Sequence, residues 1–123
     1  MEPNTSYINL PHAHTIVGRL MYYLAQRPEM AAREPVDLRD LLDAMERELA
    51  KFPADPPEEE AVAAARRVGE AAQTLTDEIV RSGYRGDRLG QCVRNLFECL
   101  GYPEEGARRS LECGERPDSP LRP

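Results

Sequence analysis

The chain has 123 residues, of which 41% are hydrophobic and 31% charged, the balance of a globular protein with one modest core. A net charge of −6 argues against binding nucleic-acid phosphates, and Arg19 interrupts the one long apolar stretch, which argues against a membrane span. The opening MEPNTSYIN has no basic region of the kind that starts a secretory signal, so the expected location is cytoplasmic.

Residues 1–9 read as a polar N-terminal arm with Tyr7 and Ile8 as its anchors. The stretch from Leu10 to Gln26, LPHAHTIVGRLMYYLAQ, follows, and Arg19 is the single charge between Glu2 and Arg27. At about 100° per residue Ala13, Ile16, Val17, Leu20, Tyr23 and Leu24 form one stripe, the signature of a helix facing a core. The reverse side, His14, Gly18, Met21, Tyr22 and Ala25, is not charged either. A helix without charge on any flank is expected to be covered on every flank, by its own bundle or by another chain. Pro11 suits its first turn and Pro28 ends it, while residues 28–34 have room for one or two further turns before Pro35.

Asp37 is the expected N-cap of a second helix with the stripe Leu38, Leu41, Leu42, Met45, Leu49 and Phe52, closed by Pro53. Asp55 then caps the longest helix, with Pro56 at its first position and Glu58 near a capping box. That helix runs to Ser82, with Gly83 past its end. Its face begins small, at Ala61, Ala64, Ala65, Val68 and Ala72, and ends bulky, at Leu75 and Ile79. The short link from Phe52 forces it to return antiparallel to the second helix. Asp87 caps a fourth helix carrying Leu89, Cys92, Val93, Leu96, Phe97 and Leu100, with Gly101 beyond it. Pro103, Glu104 and Glu105 open a short fifth helix holding Ala107 and Leu111 and ended by Gly114. Residues 115–123 are a Pro-rich tail expected to be mobile. With no strand alternation or Gly-rich phosphate loop, the fold class is all-α. It is an antiparallel bundle of four main helices and a short C-terminal fifth, forming one domain over 10–114.

Charge is concentrated rather than spread. Residues 34–60 hold ten acids against three bases, so this block carries more than the whole net charge. It would repel a duplex or an anionic membrane and attract a basic protein, with Asp40, Asp43, Glu46, Glu58 and Glu59 as the steering surface. The three cysteines are odd in number, and Cys92 and Cys99, seven apart on a helix, stand about 10 Å from each other, too far for a disulfide. They are expected to be reduced and to behave as small core residues.

Tests for chemistry return little. His12 and His14 diverge on a helix and cannot share an ion, and no E-x-x-H or H-E-x-x-H spelling occurs, so neither metal nor cofactor is expected. No serine lies in a G-x-S-x-G turn, and neither histidine has an acidic orienter nearby in sequence. Histidine phosphotransfer domains are helical bundles of comparable size whose histidine is followed at the third residue by lysine and at the fourth by glycine. His14-Thr-Ile-Val17-Gly18 keeps the glycine but has Val17 in place of the lysine that would steady a phosphoryl group. Around Gly83, two helices with Arg81, Arg85, Arg88 and Arg94 nearby offer a helix-turn-helix reading, opposed by Asp87, Glu98 and the acidic total.

The leading expectation is therefore a non-enzymatic protein–protein interaction module. It would meet a second copy of itself or a basic partner through His14, Gly18, Met21, Tyr22 and Ala25. Phosphotransfer-like signalling through His14 is the alternative, and nucleic-acid binding the third.

Overall fold

A computed structural model describes residues 2–26, 38–52, 56–83 and 86–114. Among them are five helices and no strand: α1 (Leu10–Ala25), α2 (Leu38–Ala50), α3 (Glu58–Ser82), α4 (Asp87–Cys99) and α5 (Pro103–Cys113). They alternate in direction. His14 of α1 meets Glu46 of α2, while Met21 and Ala25 share a cavity with Arg39 and Asp43, which is an antiparallel register. The Asn9 amide at the start of α1 donates to the Cys99 carbonyl at the end of α4 (2.8 Å), so that pair is antiparallel too. α1 lies between α2 and α4, α3 packs against α2, α4 and α5, and the bundle anticipated from the apolar periodicities is the observed architecture.

The core is one cluster built from the expected stripes. Leu10, Ala13, Ile16, Val17, Leu20 and Leu24 are buried from α1, and Leu38, Leu42, Met45 and Leu49 from α2. From α3 it takes Ala64, Ala65, Val68, Ala72, Leu75 and Ile79, and from α4 Val93, Leu96 and Phe97. Tyr23 and Phe52 pack only at its edge. Two glycines end helices as the sequence implies: Gly83 (φ +80°) after α3 and Gly101 (φ +94°) after α4 adopt the left-handed conformation that side-chain-bearing residues avoid.

The start of α4 differs from expectation, since Asp87 is its first residue and Gly86 holds the cap position, and so does the start of α3. α1 is capped by Asn9, whose side-chain oxygen accepts from the His12 amide at 3.1 Å. α3 begins at Glu58, so Glu58 is its first residue and the capping box does not form. Pro56 precedes another proline, which disfavours helical geometry for it, and Pro57 is itself extended (ψ 146°). The Asp37 and Asp55 caps, the 28–34 turns and the 115–123 tail fall outside the described residues.

The arm is tied down by its backbone. Asn4 donates to the Gly101 carbonyl (2.7 Å), and a Cβ at Gly101 would strike Pro3 and Asn4 within 3.0 Å. Ile8 packs against the core, whereas Tyr7 stays half exposed. Glu2 reaches Arg66 of α3 as an ion pair.

α5 is the largest departure. Ala107 and Leu111, the apolar residues the sequence offered for it, face solvent, Leu111 at 69% exposure. The buried face is instead Glu105, Gly106 and Cys113, with Arg109 beside them at 12%. Glu105 holds Arg108 at 2.6 Å and Arg109 at 2.8 Å, and Arg109 reaches across to Asp77 of α3 at 2.5 Å. The Arg108 and Arg109 guanidiniums keep the Glu105 carboxyl below its ordinary range, against a burial effect that raises it.

Candidate functional site

The uncharged residues on the back of α1 do not all fall together. His14, Gly18, Met21 and Ala25 follow a 4-3-4 spacing and lie on one line, with Tyr22 to one side. This line borders α2 at Arg39, Leu42, Asp43 and Glu46, which run in the opposite direction. The result is a groove between two antiparallel helices.

One end of the groove is polar. His14 Nε2 and a Glu46 carboxylate oxygen stand 2.8 Å apart, both side chains 39% exposed. At the other end Met21, Leu24, Ala25, Arg39, Leu42 and Asp43 enclose a cavity of about 200 Å³. Between the two ends sits Gly18, exposed, with no atom within 4 Å of where a Cβ would project. Tyr22 is 65% exposed, and its ring meets that of Tyr23 edge-on, centroids 6.1 Å apart at 61°. Met21 is half-buried and Ala25 exposed.

The acidic residues split into two places. Asp40 and Asp43 are exposed on the first half of α2, beside the apolar end of the groove, and neither holds an ion pair among the described residues. Glu46 turns to His14, and Glu48 is held by Arg67 (2.7 Å) and Lys51 (3.5 Å). Glu58 and Glu59 are exposed in the first turn of α3, at the other end of the bundle, where the helix dipole accounts for them.

Set beside known proteins, the chain matches no family model, no curated protein and no solved structure. What the site can do rests on its own residues.

They offer little for catalysis. Cys92, Cys99 and Cys113 are buried and form no disulfide. Burial, with Glu98 adding to it, pushes the Cys99 thiol up to about 11, and burial also raises Cys92 against a smaller opposing pull from Arg19. Protonated thiols are poor nucleophiles. Among the described residues no three His, Cys, Asp or Glu side chains gather as metal ligands, and His12 points away from the His14–Glu46 contact. Val17, at the place a phosphotransfer lysine would take, is fully buried, and the Glu46 carboxylate beside Nε2 would repel a phosphoryl group. Arg81 and Arg94, part of the nucleic-acid reading, pair with Glu78 and Glu98. Arg85 lies outside the described residues. No described helix is long and apolar enough to cross a membrane.

Glu46 as the partner of His14, and Asp43 with Leu42 as the second wall of the groove, were not foreseeable from local sequence. The matching spacing of 14, 18, 21, 25 and 39, 43, 46 was the available signal, and it becomes readable only once the two helices are set antiparallel.

Proposed function

We propose that this protein is a non-enzymatic protein–protein interaction module, an adaptor, inhibitor or self-associating bundle that docks through the outer face of α1. The contact residues are His14, Gly18, Met21, Tyr22 and Ala25, and the acids Asp40 and Asp43 steer a basic surface toward them. Glu58 and Glu59 extend the acidic field at the far end. Three buried cysteines that form no disulfide are in keeping with a reducing compartment such as the cytoplasm.

Gly18 carries this reading. A glycine inside a helix costs about 0.5–1 kcal/mol relative to alanine, and none of the described residues comes near enough to need the missing Cβ. Such a residue has a use when another surface approaches the helix backbone. The exposed ring of Tyr22, one turn on, is the side chain type that anchors contacts of this kind.

Light-scattering mass across a dilution series tests a second copy: Tyr22→Asp abolishes assembly while leaving the circular dichroism spectrum unchanged. A photocrosslinking side chain at position 22, with one at the exposed position 111 as control, tests any other protein in living cells. A monomer at every concentration that yields no more adduct from 22 than from 111 overturns the reading.

A further inference from the structure

Two larger hollows, about 510 Å³ around Asn9, Pro56 and Glu58 and about 340 Å³ around Arg66, Gln73 and Tyr102, are open and expose mostly polar atoms. The groove between α1 and α2 is different. Along it the α1 line of His14, Gly18, Met21 and Ala25 runs beside antiparallel α2, from the His14–Glu46 contact to the cavity at Met21 and Leu42, and a third helix laid on such a seam would cross both helices. Gly18 halfway along it lets that helix come close to the α1 backbone. The cavity at its end, about 200 Å³ between Met21 and Leu42, is smaller than the 300–1,000 Å³ or so of small-molecule sites and suits an inserted side chain.

Charge identifies the occupant. Glu48, Glu78, Glu98 and Glu105 each have an ion-pair partner from this chain, whereas Asp43, which lines the cavity with Arg39, and Asp40, on the same turn of α2, hold no ion pair among the described residues, so acids outnumber bases there. A second copy would bring another net charge of −6 to that wall. Resting on the reading of α1 as a contact face, we propose that the groove receives a cationic amphipathic helix of another protein. One aliphatic side chain enters the cavity, and a lysine or arginine one turn away pairs with Asp43 and Asp40.

The probe is a synthetic helix of about 20 residues with leucines at the a and d positions and lysines at e and g, beside a version with glutamates for the lysines. Each is titrated into the isotope-labelled full chain and followed by amide chemical shifts. The lysine peptide shifts Gly18, Met21, Ala25 and Asp43, and Asp43→Lys weakens it about tenfold, with Asp43→Asn between. The glutamate peptide leaves the wild type unchanged and binds Asp43→Lys, a charge swap that general stickiness of a cationic peptide would not produce.

Equal binding of both peptides to the wild type, shifts centred on Glu58, Glu59 and Glu60, or no binding of the lysine peptide overturns the proposal. Each of those results leaves α1 as a contact face to be judged by crosslinking at position 22. A dimer that shields Gly18 and excludes the peptide overturns it in favour of a second copy.

Discussion

The α4–α5 hairpin and the α1–α2 pair both use glycine on an antiparallel helix contact, and they use it oppositely. In the hairpin a Cβ on Gly90 would lie 2.9 Å from Gly114 Cα and from the Ser110 carbonyl oxygen, and one on Gly106 would lie 2.8 Å from the Arg94 carbonyl oxygen. Backbone meets backbone, and the charges around it, Glu105 with Arg108 and Arg109, are satisfied inside the chain. In the α1–α2 pair the same residue type at Gly18 faces empty space, and two aspartates face solvent. One region is finished by its own atoms. The other leaves its glycine and its aspartates exposed.

That difference can be broken from either side. The largest effect is expected from Gly106→Val, which forces two backbones apart and lowers unfolding free energy by about 3 kcal/mol in urea titration. Glu105→Gln comes next, at about 2 kcal/mol near neutral pH, because it strips Arg109 of a buried partner. The carboxyl of Glu105 is held below its ordinary value of 4.5, so its contribution is complete above that value and is lost as pH falls through the lowered one. The gap between wild type and Glu105→Gln therefore closes on acidification, which thermal melts across pH 2–7 would follow. Gly18→Ala has the opposite sign, raising stability by about 0.5–1 kcal/mol through helix propensity while weakening partner binding. A loss of stability there would show that Gly18 serves the fold. Tyr22→Asp changes stability least, within about 0.5 kcal/mol, since its ring is largely exposed and meets that of Tyr23 edge-on.

The two regions were also unequally legible. Helices α1 to α4 could be read because their buried faces are apolar at helical spacing and because Gly83 and Gly101 mark two of their ends. α5 was found but its inward face was not. Its inward face is Glu105, Gly106 and Arg109, so a search for apolar periodicity settles on Ala107 and Leu111, which the structure exposes. A charge becomes a core residue only through partners, and Asp77 lies 32 positions from Arg109. The lack of charge on the back of α1 was legible, but its setting against α2 was not. The His14–Glu46 contact depends on how α1 and α2 are set against each other, which no local window contains. At α3 the error was one of local chemistry: two adjacent prolines move the start to Glu58, where one proline would have opened the helix.

The hydrogen bonds from Asn4 to Gly101 and from Asn9 to Cys99 have a consequence for biosynthesis. Each joins segments roughly ninety positions apart, a closure that comes late because its entropy must be met before it stabilises anything. A ribosome delivers Leu10, Ile16 and Leu20 long before the α4 residues that cover them. The nascent protein thus exposes its greasiest segment for most of translation, and chaperone dependence should fall when α4 is moved ahead of α1 by circular permutation.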